Sequence, residues 1–245
     1  MIDLHCHILP GVDDGPRTFE ESLQMLRIAK SEGIRVMVAT PHWMEGSRFM
    51  PEVDDLEEVL AELRRRLLEE NIDMEVFLGM EIALSPSIPS KLEAGLVLPL
   101  AGSKYVLLEA PQSYIPDFFE YTLFEVMTMG YVPLLAHPER CLTFQEEPSK
   151  LSLLWKRGVL LQIDADSLKG RFGLGAHELG MEIIKKGMAF AISTDAHSPE
   201  RRRPTVSRLA ELLKKRVRSC SCGRATIPEP FEGSSRLIKL RFGRR

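Results

Sequence analysis

Seven short apolar runs, each carrying a His, Asp or Glu near its end or followed within two residues by one, constrain this chain more than any other feature. In order they are IDLHCH, IRVMVAT, MEVFLGMEIAL, SKYVLLEAP, YVPLLAH, VLLQIDA and MAFAISTDAH. Helical stretches separate most of them. TFEESLQMLRIAKSEG shows the pattern: Thr18 and Glu21 have capping-box spacing, Phe19, Leu23, Leu26 and Ile28 make an apolar face, and Gly33 stops the helix. VDDLEEVLAELRRRLLEEN, DFFEYTLFEVMTMG, PSKLSLLWKRG, HELGMEIIKKG and TVSRLAELLKKRV are the other predicted helices. Apolar strands alternating with helices suit parallel strands covered on both faces. At 245 residues the chain has the length of one α/β barrel, and a closed or nearly closed (β/α) barrel is expected rather than an open doubly wound sheet.

In such a barrel the carboxyl ends of the strands meet at one mouth, where chemistry is built. The first strand brings His5 and His7 there, the second His42, the third Glu81 and the fourth Glu109. The fifth brings His137, with Arg140 three residues on, and the last brings Asp195 and His197. Five of the six histidines stand at these ends; only His177 does not. One His at a strand end is ordinarily structural, and one Glu after an apolar run is ordinarily a cap or a solvated residue. A His or carboxylate at nearly every end reads instead as a metal centre. In HxH both imidazoles leave the same face of the strand, because side chains alternate with period two. Imidazole and carboxylate without thiolate suit Mn²⁺, Fe²⁺ or Zn²⁺. The candidates are too many for one ion, so two or three are expected, the usual apparatus of phosphoester hydrolysis.

Other classes find less support. No GxGxxG or GxxxxGK[ST] follows a strand, which leaves nucleotide binding without a motif. No run is long and apolar enough for a membrane span, no signal peptide is evident, and Cys6, Cys141, Cys220 and Cys222 make no disulfide framework, so a cytoplasmic setting is expected. Thiol phosphatase chemistry needs C-x5-R, but the arginine position holds Val12, Glu147, Thr226 and Pro228. The net charge of −3 is uneven: Leu213 to Arg245 carries ten Lys or Arg against two Glu, so residues 1–212 carry −11. An acidic body argues against nucleic acid as the main partner. The basic end, rich in Pro, Gly and Ser, has little helical period and is expected to pack poorly as a tail.

The motifs DLHCHILPGVDDGP, ATPHW, LLEAP, HPERC and STDAH together resemble the PHP (polymerase and histidinol phosphatase) superfamily. Within it they are similar to the metal-dependent bacterial protein-tyrosine phosphatases of capsule and exopolysaccharide operons. The resemblance runs from Met1 to about Val217, which sets residues 1–217 as the barrel domain and 218–245 as an atypical basic tail. It implies a distorted (β/α)7 barrel, PHP-type and TIM-barrel-like, with up to three divalent ions at its mouth, Mn²⁺ expected first and Zn²⁺ or Fe²⁺ as alternatives. Carried over by position, His5, His7, Glu81 and Asp195 hold one ion, and Asp14, His42 and His197 a second. Glu81 bridges to a third, held with Glu109 and His137. VDDG offers Asp13 as well as Asp14, and either could instead shape the turn.

The implied reaction is in-line attack on phosphotyrosine by a metal-bridging hydroxide. Arg140 would hold the phosphoryl oxygens, together with a second arginine from HSPERRRP; family spacing points to Arg202, with Arg201 and Arg203 as neighbours. The implied partner is a phosphotyrosine protein, a tyrosine autokinase that controls polysaccharide assembly. Hydrolysis of histidinol phosphate on the same scaffold is one alternative, and an inactive, metal-stabilised binding module is another.

Overall fold

A computed structural model describes residues 1–206. The helix predicted over 205–217 and the basic tail 218–245 lie outside the described residues, apart from Thr205 and Val206. The predicted elements are found where expected. Strand β1 spans Ile2–Cys6 and helix α1 Phe19–Ser31, with Thr18 as N-cap accepting from the Glu21 amide. The capping box is half made, because the Glu21 carboxylate accepts from the amide of Arg17 rather than that of Thr18. Strand β2 (Val36–Ala39) continues as β3 (His42–Trp43), then α2 spans Val53–Glu69. The third run is likewise two strands, β4 (Glu75–Leu78) and β5 (Glu81–Ala83). Next come α3 (Ile88–Glu93), β6 (Tyr105–Glu109), α4 (Phe119–Thr128) and β7 (Val132–Ala136). The remainder is α5 (Leu142–Glu146), α6 (Pro148–Lys156), β8 (Leu160–Asp164), α7 (Ala165–Leu168), α8 (Leu174–Lys185) and β9 (Ala189–Ser193).

All strand pairs are parallel. One sheet runs β1-β2-β4 and the other β3-β5-β6-β7-β8-β9. The two are one surface, since backbone bonds from Gly79 to Ala39 (2.9 Å) and from Glu81 to Pro41 (3.1 Å) carry the ladder across the breaks. Pro41 has no N–H to give, which interrupts the second strand. Gly79 interrupts the third and lets the chain pass close to Leu100: a Cβ there would lie 2.9 Å from the leucine side chain and 3.1 Å from its Cα. At the other edge a parallel bridge, Cys6 to Ala196, joins β1 to the residues after β9. The amide of Asp195 also donates to the His5 carbonyl (3.0 Å), and buried Asp3 accepts from the Thr194 amide (3.1 Å) and hydroxyl (2.5 Å). Over the described residues the result is a distorted (β/α)7 barrel in which β1 and β9 meet at a seam.

Alternation sorts the apolar side chains into two sets. Leu4, Val38, Leu107, Leu134, Ala136 and Ala191 pack together inside the barrel, with Leu100 and Tyr105 below them. Cys6, Val106, Leu108, Leu135 and Ile163 point outward and meet the helices through Leu26, Leu56, Leu63, Phe119 and Leu151. An irregularity in register between Asp3 and Cys6 lets Leu4 face the interior plug while the next residue, His5, faces the mouth above it. Apolar layers thus floor the barrel, and the polar strand ends stand over that floor.

Candidate metal centre

All nine strand-end and turn residues singled out as ligands gather at the mouth. His5, His7, Glu81 and Asp195 form the tightest group. His5 Nε2 stands 3.2 Å from Glu81 Oε2, 3.3 Å from Asp195 Oδ1 and 3.2 Å from His7 Nε2; His7 Nε2 stands 3.3 and 3.4 Å from the same two oxygens. Atoms about 2.0–2.1 Å from one tetrahedral ion would be about 3.3–3.4 Å apart. Glu81 Oε2 and Asp195 Oδ1 are buried and accept no hydrogen bond, so two anionic oxygens converge without a donor between them. Such an arrangement is costly unless a cation occupies the centre. The donor set therefore fits a divalent metal ion.

A second group joins His7, Asp14, His42 and His197, with Asp14 Oδ1 3.4 Å from both His42 Nε2 and His197 Nε2. A third joins His42, Glu81 and Glu109, with His42 Nδ1 3.0 Å from Glu81 Oε2. Family position had put His137 in this third set. Its Nε2 donates to Glu81 Oε1 (2.8 Å) and lies 3.9 Å from Glu109 Oε1, beside both carboxylates of that set. His42 presents one ring nitrogen to each of two groups, and so links them.

Charge tells the same story. Burial opposes protonation of His5, yet Glu81 and Asp195 lift its pKa to about 9. Burial likewise opposes a charge on His7, but Asp13 holds its pKa well above the usual imidazole range. His197, buried and beside His7, is pushed down to about 4. Burial and the Glu81 charge raise Glu109 to about 7. The carboxylates draw protons onto imidazoles that ordinarily would not keep them, a demand that a bound dication meets directly.

The residues that aim these side chains are mostly ones the sequence did not flag. Asp13 Oδ2 accepts from His7 Nδ1 (2.6 Å) and from the His42 amide (3.1 Å). The two aspartates of VDDG therefore divide the work: Asp14 reaches the ring nitrogens at the mouth, and Asp13 orients His7 from behind. Gln162 Oε1 accepts from His5 Nδ1 (3.1 Å) and from the His137 amide (3.2 Å). His197 Nδ1 donates to the Asp195 carbonyl (2.8 Å). Three imidazoles thus use Nδ1 for support, which leaves Nε2 as the ligating atom. A glutamine in the middle of an otherwise apolar strand was the available signal for Gln162. His137 and Asp195 have φ of 29° and 48°, a region that non-glycine residues enter at a cost, and surrounding hydrogen bonds hold them there.

Two arginines edge the cluster. Arg140 Nη1 lies 2.8 Å from Asp195 Oδ2 and 3.6 Å from Asp164 Oδ2. Arg202 Nη2 reaches the same Asp195 oxygen. Of the three arginines left open by HSPERRRP, Arg202 is the one turned inward; Arg201 and Arg203 are exposed. Asp164 N-caps α7 through the Asp166 amide (2.7 Å). Its other oxygen faces Arg140 as well.

A parallel α/β barrel with metal-binding groups at the carboxyl ends of its strands is the plan of the metal-dependent hydrolases. Its fold resembles that of an amidohydrolase from Mycoplasma synoviae (TM-score 0.53, 12% identity, 91% of this chain and 83% of that one). A much closer likeness is found among the crystal structures of YwqE from Bacillus subtilis and CpsB from Streptococcus pneumoniae, unique metal-dependent tyrosine phosphatases: TM-score 0.82, 31% identity, 95% of this chain and all of that one. The family model for capsular polysaccharide synthesis, CpsB/CapC, matches residues 1–230, and the chain belongs to that family. Its sequence is 35% identical over 202 residues to the tyrosine-protein phosphatase YwqE of Bacillus subtilis, covering 82% of this chain and 79% of YwqE. It is 25% identical over 221 residues to the tyrosine-protein phosphatase CpsB of Streptococcus pneumoniae, covering 88% and 90%.

Proposed function

We propose that this chain is a metal-dependent protein-tyrosine phosphatase that acts on a phosphotyrosine protein of polysaccharide assembly, a tyrosine autokinase. The observation that carries the reading is the convergence of His5, His7, Glu81 and Asp195 on one point beside two inward arginines. In this reading those four residues hold one ion, and Asp14, His42 and His197, with His7, hold a second. Glu81 and Glu109 hold a third, with His42 or His137, and Mn²⁺ is the first ion to test. When bound, the ions supply a hydroxide nucleophile at neutral pH and Lewis-acid charge against the phosphoryl oxygens.

The chain's own side chains do the remainder. Arg140 and Arg202 present forked N–H donors to the non-bridging phosphoryl oxygens and stabilise the charge that builds there. Asp164 and Asp195 hold Arg140 with its guanidinium at the edge of the cluster. The apolar floor of Leu4, Val38, Leu107 and Leu134 keeps water from the underside of the site. Tyrosinate, with a pKa of about 10, leaves more readily than an alkoxide and does not require a strong general acid. Among the described residues no helix is long and apolar enough to cross a membrane, and we infer a cytoplasmic enzyme.

The test is hydrolysis of a phosphotyrosine peptide and of histidinol phosphate by chelated protein, with Mn²⁺, Zn²⁺ or Fe²⁺ added back. Metal-dependent turnover of the peptide is expected. Preference for histidinol phosphate would overturn the substrate, and no turnover with any ion would overturn the activity. Asp13 supplies a subtler check. Asp13→Asn should weaken metal affinity by about 10–100-fold, the usual effect of losing the carboxylate behind a ligating imidazole. Competition against a chelating dye would read it, and unchanged affinity would show that His7 needs no such support.

A further inference from the structure

Arg140 and Arg202 come from different loops, after β7 and after β9, and among the described residues two side chains meet both. One is Asp195. The other is Phe172, whose ring centre lies 4.3 Å from the Arg140 guanidinium carbon and 5.9 Å from that of Arg202. Phe172 sits in the turn between α7 and α8, bracketed by Gly170 (φ 84°) and Gly173 (φ 91°). The turn is held firmly. Asp166 binds Lys169 (2.9 Å) and Arg171 (3.1 Å) through its carboxylate, and its carbonyl accepts from the amides of both. Lys169 also reaches the Thr205 carbonyl (2.9 Å), which ties this turn to the segment that carries Arg202.

We infer that Phe172 is a positioning residue for the phosphoryl-binding arginine pair, an inference that rests on the function proposed above. A guanidinium attracts an aromatic ring through its flat face and hydrogen-bonds through its edge. Phe172 can therefore hold both arginines without occupying the N–H groups that the phosphoryl oxygens need. A carboxylate in its place would compete with the substrate for those donors. Asp195 anchors one edge of each guanidinium and the ring supports them, which brings the two side chains together. That arrangement lowers the entropy lost when two long side chains converge on one anion.

The experiment compares wild type with Phe172→Leu, which keeps apolar bulk but removes the π face, and with Phe172→Tyr and Phe172→Trp, which restore it. With a phosphotyrosine peptide, Phe172→Leu should raise KM about tenfold, equivalent to ~1.4 kcal/mol, while metal content and thermal midpoint stay near wild type. The aromatic variants should remain within about threefold of wild type. Calorimetric titration with inorganic phosphate should show the same order of affinities. NMR of the arginine side chains should show the Arg140 resonances losing their ring-current shift in Phe172→Leu alone. Unchanged KM and phosphate affinity in Phe172→Leu would overturn the inference, as would equal damage in all three variants. Should wild type fail to hydrolyse the peptide with any ion, the proposed function falls, and the phosphate titration decides the role of Phe172 independently.

Discussion

Glu81→Gln is expected to lower metal-dependent hydrolysis of a phosphotyrosine peptide by about a thousandfold or more, since metal ions supply several kcal/mol of transition-state charge stabilisation. Its carboxylate meets four imidazoles. Its Oε1 accepts from His137, and its Oε2 lies within 3.0–3.3 Å of His42, His5 and His7. Glutamine keeps the volume and can still accept from His137. Its amide nitrogen, however, would point two N–H groups at imidazoles meant to face a cation. Bound metal measured by mass spectrometry should fall in parallel with activity. The circular dichroism spectrum should be preserved, because Glu81 stands above the apolar floor rather than in it. Wild-type metal content in this variant would remove Glu81 from the ligand set.

Arg140→Lys should retain metal and fold yet lose about 10²–10³ in kcat/KM, the usual cost of one oxyanion donor. Lysine keeps the positive charge that buried Asp164 and Asp195 face, so the substitution isolates geometry from charge. What disappears is the planar fork, which an ammonium does not reproduce at a bidentate site. Arg140→Ala would confound the comparison: with the guanidinium gone, Asp164 Oδ2, already buried without a hydrogen bond, would lose its neutralising neighbour. Kinetics of the Lys variant on the phosphotyrosine peptide, with metal content alongside, decide the matter. Activity within twofold of wild type would show that Arg140 does not bind the phosphoryl group.

The strand ends were legible because two rules act there together. Period-two alternation points His5 and His7 the same way, and parallel barrels collect the ends of strands far apart in sequence. Both rules are local, and neither needs the structure. The break after Leu78 was not legible, because a continuous apolar run reads as one strand. Pro41 marks the break after Ala39 by itself, but Gly79 acts through Leu100, about which alternation says nothing. For the same reason Asp13, Gln162 and Phe172 went unassigned as supports. A ligand shows itself by residue type at a strand end, whereas a support is defined by what it touches. Asp13 and Asp14 are chemically identical neighbours, and only the direction of the turn separates them. His42 beside Glu109 is similar: family position gave it to another set, and only the direction of its ring brings Nδ1 to Glu81.

The seam between β1 and β9 gives the ions a second part to play. Asp3 and Thr194, which clasp it, are 191 residues apart. The tightest ligand group straddles the same line, with His5 and His7 on one bank and Asp195 on the other. A chain emerging from synthesis therefore has half a site until β9 is in place. Loading with metal then acts as a receipt for a finished ring. It also adds its binding free energy to the one contact that a partly made barrel lacks. Stripping the ions should open this molecule first along the seam between β1 and β9.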